Sequence, residues 1–236
     1  QLWKVIDRPN LLIKVPATIE GLPAITELIS LGISVNVTLI FSVERYKQVL
    51  AAYAEGLTKL LASGGQANQV FSVASFFISR VDTAVDLLLP ADSNLRGSAA
   101  ISNAVMAYDA FQTFEASPTW QNLKTSGCNS QRPLWASTGV KDPSYDPNRY
   151  VLDLVAPNTV NTMPEQTLES VKKIGVFKGA TITQSLPMAK SNLARLALAG
   201  IDLDKITTDL ENDGVKKFEL AWLDLMNSVR TVALDI

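Results

Sequence analysis

Short apolar runs alternate with longer amphipathic stretches along most of the chain. Leu11-Leu12-Ile13-Lys14-Val15, bounded by Pro9 and Pro16, predicts a buried strand. A helical pattern follows over about Leu22–Leu31 and stops at Gly32. Ile33–Leu39 alternates strictly, as a second strand does, and Ser42 is placed to cap a helix reaching about Ala62, which Gly64-Gly65 ends. Val70–Phe77 predicts a third strand, Leu134–Thr138 a fourth and Tyr150–Val155 a fifth. Helical segments are expected over about Asp82–Leu89, Ser98–Glu115, Pro164–Ile174 and Met188–Leu198. A long helix is expected over Leu203–Arg230, with Val215, Phe218, Trp222 and Leu225 on one face.

Strands separated by helices predict an α/β fold with parallel strands. The choice is a doubly wound sheet or a (β/α)8 TIM barrel. No glycine-rich phosphate loop of either common type is present. Five strands cannot close an eight-stranded barrel. If the fold is a barrel, about three βα units are expected upstream of Gln1. The opening helix-like segment Gln1–Ile6 has no cap before it and no initiating Met, which reads as the middle of a longer protein. Residues 1–236 are taken as a single domain.

Composition narrows the chemistry. With 21 basic and 23 acidic residues the net charge is −2, so no field of one sign exists to attract nucleic acid or anionic lipid. The sequence has no histidine, which removes Ser-His-Asp and Cys-His nucleophile systems and imidazole metal ligands. Its single cysteine, Cys128, excludes an intrachain disulfide and a thiolate zinc cluster. No apolar run is long enough to span a membrane, and no basic segment followed by an apolar one and a small-residue cleavage site is read, so no signal peptide is expected.

The informative residues are polar ones inside otherwise apolar strands. Residues i and i+2 share a face, so Asn36 and Thr38 point one way while Val35, Val37 and Leu39 point the other. Ser75 and Phe77 share a face in the same manner. Lys14 lies near the C-terminal end of its strand, where barrel enzymes keep their chemistry. An ammonium group buried there is costly unless it loses its proton or finds a partner. A neutral amine is the nucleophile that Schiff-base chemistry on a carbonyl requires. An edge-strand lysine that blunts aggregation is the alternative, and a satisfied structural network is the alternative for Asn36 and Thr38.

Leu11-Leu12-Ile13-Lys14-Val15-Pro16-Ala17-Thr18-Ile19-Glu20-Gly21 resembles the lysine-bearing signature of transaldolases. Val35-Asn36-Val37-Thr38-Leu39-Ile40-Phe41-Ser42 and Ala74-Ser75-Phe76-Phe77-Ile78-Ser79-Arg80-Val81 resemble their next two strands. Trp135-Ala136-Ser137-Thr138-Gly139-Val140-Lys141-Asp142-Pro143 and Asn161-Thr162-Met163-Pro164 resemble the longer, bacterial branch. The resemblance spans nearly the whole chain and implies the C-terminal two-thirds of a cofactor-independent, metal-free barrel enzyme of the class I aldolase type. That enzyme works in the pentose phosphate pathway in the cytoplasm and moves a dihydroxyacetone unit between sugar phosphates.

By resemblance Lys14 is the Schiff-base lysine, Asn36 holds donor hydroxyls and Thr38 positions a catalytic water. Ser75 contacts a donor hydroxyl, Phe77 lines the site and Arg80 binds phosphate. Ser137 and Lys141 lie where the family places a second phosphate contact, although Thr138-Gly139-Val140-Lys141 departs from the Ser-x-Arg pattern. The family's acid/base Asp and Glu lie on strands preceding the lysine strand and are assigned to no residue here. Sugar phosphates are the expected partners, with neither nucleic acid nor membrane. The sequence leaves the oligomeric state open. The runner-up reading is a simple class I aldolase of the fructose-6-phosphate aldolase type. A different class is a truncated, non-catalytic chain completed by a complementing N-terminal segment; residues 1–236 alone are expected to be inactive.

Overall fold

Every strand in the sheet is parallel to its neighbour, and the order is β1-β2-β3-β4-β5 with no reversal. The computed structural model describes residues 1–234. Its strands are β1 (Ile13–Pro16), β2 (Val35–Ile40), β3 (Ser72–Phe77), β4 (Arg132–Ala136) and β5 (Val160–Asn161). A doubly wound sheet reverses its order at a switch point. Sequential order is the winding of a (β/α)8 barrel, so the barrel is the alternative that the topology favours.

Ten α-helices are described: α1 (Leu2–Ile6), α2 (Gly21–Ser30), α3 (Val43–Ala62), α4 (Ser79–Asp86), α5 (Ala99–Glu115), α6 (Pro118–Thr125), α7 (Arg149–Leu152), α8 (Glu165–Ile174), α9 (Leu186–Leu198) and α10 (Leu203–Leu234). The capping logic holds where its chemistry is explicit. The Ser42 hydroxyl accepts from the Arg45 amide at the start of α3, and Gly64, at φ 78°, ends the turn after that helix. Side chains on one face of the sheet form the core with these helices. Phe76 meets Tyr46 and Trp135 edge-on, each with ring centroids 6.2 Å apart.

The structure corrects several expectations. Tyr150–Val155 is not a strand: it forms α7 and the loop after it, and β5 lies further on. Tyr150 and Leu154, four residues apart, are the buried positions, which is a helical spacing rather than an alternation. The fourth strand ends at Ala136 because Ser137 turns to φ 55°. Helix α6 carried a readable signal, a Ser117 cap with Pro118 in its first turn; it buries Trp120 against Tyr53 and Phe114.

Two further expectations fail on burial. Lys14 is exposed rather than buried. On α10, Val215 packs against the core, but Phe218, Trp222 and Leu225 along the same face are more than half uncovered or at the half-way mark.

Candidate active site

The strand register gathers the sequence-predicted residues on the face of the sheet opposite Phe76 and Trp135. Lys14 pairs with Asn36, and Pro16 with Thr38, across β1 and β2. Asn36 pairs with Val73, so Ser75, two residues along, faces the same way. The Ser75 hydroxyl donates to Asn36 Oδ1 at 2.8 Å. That bond occupies the carbonyl end of the amide and leaves its NH2 end as a donor.

Thr38 is 2% exposed, and its hydroxyl has no partner among the described residues. A buried hydroxyl without a partner costs about 1–3 kcal/mol, which makes it a place for a water or a substrate oxygen. Thr38 itself lies where β2 bulges, between Val37 and Ile40. Leu39 sits there at φ 61°, so the strict alternation expected through Leu39 breaks at that residue.

Phe77 ends β3 on the same face, and its ring lies 5.1 Å from that of Phe41. The Arg80 guanidinium stands over the Phe77 ring at 5.4 Å. Beside Arg80, the Ser79 and Ser137 hydroxyls are 3.0 Å apart, and the Ser79 amide donates to the Ser137 carbonyl at 2.9 Å. Ser137 is thereby drawn to the start of α4, next to Arg80. An arginine fork and hydroxyls at a helix start suit a phosphate dianion.

Lys141 is not brought to this group. It lines a separate cavity of about 200 Å³ with Asp82, Asp86, Arg96, Tyr145 and Tyr150. Sequence reasoning missed the network in that wall. Asp82 accepts from the Tyr150 hydroxyl at 2.7 Å and the Ala100 amide at 2.8 Å. Asp86 accepts from the Tyr145 hydroxyl at 2.6 Å and the Gly97 amide at 2.8 Å. Arg149 lies over both tyrosine rings and donates to the Gly97 carbonyl.

Burial raises the Asp82 carboxyl, against the lowering effect of its Tyr150 and Ala100 hydrogen bonds. Burial, with the Asp86 carboxylate next, pushes Tyr145 up to about 12. The signal for this network was Asp82 and Asp86 at i, i+4 on a helix, which places both carboxylates on one side of it. The network ties the segment after β4 to α4 and α5, and so fixes the ground on which Ser79, Arg80 and Ser137 stand.

The family model described as Transaldolase/Fructose-6-phosphate aldolase matches residues 1–229. The chain belongs to the transaldolase/fructose-6-phosphate aldolase family. It is 51% identical to the transaldolase of Mycolicibacterium paratuberculosis and 50% identical to that of Mycolicibacterium smegmatis, in each case over 98% of this chain. It is 51% identical to the transaldolase of Saccharopolyspora erythraea over 97% of this chain. The chain spans 63% of the length of each of these curated relatives. As a transaldolase-family chain, its α/β fold with sequentially ordered parallel strands is that of the aldolase-type barrel. No described helix is long and apolar enough to cross a membrane.

Proposed function

We propose that the chain carries the Schiff-base chemistry of a cytoplasmic transaldolase, which transfers a dihydroxyacetone unit between sugar phosphates. The observation that carries this reading is the pairing of Lys14 with Asn36, whose amide is in turn oriented by Ser75, on the open face of the sheet of a family member. The Lys14 amine attacks the C2 ketone of fructose 6-phosphate or sedoheptulose 7-phosphate, and loss of water gives an iminium. The iminium draws electrons as the C3–C4 bond breaks, and an aldose phosphate leaves. The three-carbon carbanion, held as the enamine, then attacks the aldehyde carbon of an acceptor. Hydrolysis of the new iminium returns the amine.

Asn36 donates to a donor hydroxyl and Ser75 fixes that amide. Thr38 holds a water near the reacting nitrogen, Phe77 walls the site and Arg80 with Ser137 takes the phosphate. Lys141 has a weaker claim to that phosphate, because it stands in the other cavity. The proton-transfer carboxylates implied by the family are assigned to no residue of this chain.

Fructose 6-phosphate labelled with carbon-13 at C1–C3 separates this reading from a simple aldolase. With erythrose 4-phosphate present, transfer yields sedoheptulose 7-phosphate labelled at the same three carbons. Labelled free dihydroxyacetone as the main product, with acceptor present, would favour the aldolase instead.

A further inference from the structure

Helix α10 does not merely follow the sheet; it is seated on the end of β2. Glu211 is held by Arg45 through a two-pronged ion pair, with Nε to Oε2 at 3.1 Å and the second nitrogen to Oε1 at 3.3 Å. Arg45 is itself in the first turn of α3, whose cap, Ser42, accepts from the Arg45 amide. Three residues beyond Glu211, Gly214 is buried against Leu39: a Cβ at position 214 would come within 2.8 Å of Leu39 Cδ2. Leu39 is the residue held at φ 61° in the β2 bulge, a conformation that persists only where its surroundings fix it. The bulge, the left-handed leucine and the missing side chain at 214 thus fit one another.

Their common effect is to set the register of the next turn. Glu211, Gly214 and Phe218, spaced i, i+3, i+7, lie along one face of the helix. At the third of these positions the Phe218 ring stands 5.9 Å from the Lys14 Nζ. Trp222 and Leu225, further along the same face, are exposed like Phe218. Phe218 differs from them in having a cation over its ring.

We propose that Phe218 is the specificity-determining cover of the Lys14 nitrogen: it stabilises the iminium cation formed there and shields one side of it from water, so that transfer of the three-carbon unit is favoured over its release. The inference rests on the Schiff-base reading above. An aromatic face attracts a cation more strongly as water is excluded, and the ring edge is itself an apolar screen. In the release branch the carbanion carbon takes a proton from water and a second water adds to C2. The C–N bond then breaks, returning the Lys14 amine and free dihydroxyacetone. In the transfer branch the same carbon bonds to the acceptor's aldehyde carbon, whose oxygen takes the proton, and the C–N bond is hydrolysed only afterwards. Keeping water from C2 slows the first branch without touching the second bond-forming step.

Three quantities test this in the protein and its variants: dihydroxyacetone released from fructose 6-phosphate alone, transfer to erythrose 4-phosphate, and adduct trapped by borohydride. Phe218→Ala is expected to lower the trapped adduct by about 2–30-fold, the range of an aromatic–cation contact from exposed to desolvated, and to raise the ratio of release to transfer several-fold because water reaches C2 more easily. Phe218→Leu keeps apolar bulk without the ring, so it should raise the ratio by a smaller factor, above twofold, and lower the trapped adduct. Trp222→Ala should leave the ratio unchanged. A ratio within twofold of the parent in Phe218→Leu, while the parent forms the adduct, overturns the inference alone, whether or not Phe218→Ala folds. A parent that traps no adduct at all removes the Schiff-base reading and the inference with it.

Discussion

The two faces of this sheet are written into the same strands one residue apart, and they differ in almost everything else. On one, Val35, Val37, Ala74, Phe76 and Trp135 are shut away from water under the helices. On the other, Lys14 is exposed and Asn36, Val73 and Phe77 are half-buried; of its buried members, Thr38 and Ser75 carry hydroxyls, while Leu134 and Ala136 on β4 are apolar. The first face is a packing surface, where burial at roughly 25 cal/mol per Å² of apolar area holds the fold together. The second bears amine, amide, hydroxyl and guanidinium groups that gain little from the core. The comparison teaches a separation of labour: changes on the helix face should cost stability, and changes on the lysine face should cost chemistry.

Trp135→Ala should test the helix face most severely. It removes a fully buried indole that meets Phe76 edge-on and donates from Nε1 to the Leu154 carbonyl at 2.9 Å. A loss of about 3–5 kcal/mol is expected from the cavity and the stranded carbonyl, read as a shift in the denaturant midpoint. A loss below about 1 kcal/mol would mean that the sheet–helix layer is not where the stability lies.

Arg80→Ala belongs to the other face. KM for phosphorylated substrates should rise by about 10–150-fold, corresponding to a charge-assisted contact of roughly 1.5–3 kcal/mol. An unphosphorylated ketose should be affected far less, and thermal stability should barely move. Equal losses for both substrates would make Arg80 a structural residue that stacks on Phe77.

Thr38→Val should move the two properties in opposite directions. The hydroxyl is buried without a partner, so its replacement by a methyl is expected to be neutral or to stabilise by about 1 kcal/mol. On the role proposed for Thr38, turnover should fall. A variant that loses both stability and turnover would show that the hydroxyl is part of a structural network.

The smallest effect concerns Asp82. Burial raises its folded-state pKa above the ordinary 3.8, so the folded protein holds that proton more tightly than the unfolded chain. Its contribution to stability is therefore fullest below about pH 4 and is lost as pH rises through the raised value. The Ala100 amide and the Tyr150 hydroxyl donate to different oxygens of Asp82; Asp82→Asn keeps the oxygen that faces Ala100 and turns an NH2 donor toward the Tyr150 oxygen, which can accept it. The variant should flatten that stretch of the stability curve in urea titrations at stepped pH; an unchanged slope would mean that Asp82 titrates normally.

Much of the helix-face architecture was readable in the sequence. The first four strands announced themselves by apolar runs and alternation, and α3 by its Ser42 cap and terminal glycines. The miss at Tyr150–Val155 has a physical cause: a short apolar run looks alike in a strand and in a turn of helix, and only Asp82, far away in sequence, anchors Tyr150 into the latter. On the lysine face the residue types were legible but not their setting. The exposure of Lys14 on β1, at the end of the strand order, agrees with the edge-strand alternative that its sequence allowed, but nothing local foretold that Lys141 would stand in another cavity or that Leu39 would leave the alternation. These follow from register and from α10 arriving at β2, contacts that span most of the chain's length.

The central claim, that the open face works through one amine, is tested most directly by borohydride reduction in the presence of fructose 6-phosphate, followed by peptide mapping. The account predicts a three-carbon, dihydroxyacetone-derived adduct on the peptide containing Lys14, lost in Lys14→Ala while the unfolding free energy stays within about 1 kcal/mol of the parent because that side chain is exposed. An adduct at any other lysine of the protein, or one that persists in Lys14→Ala, would contradict it.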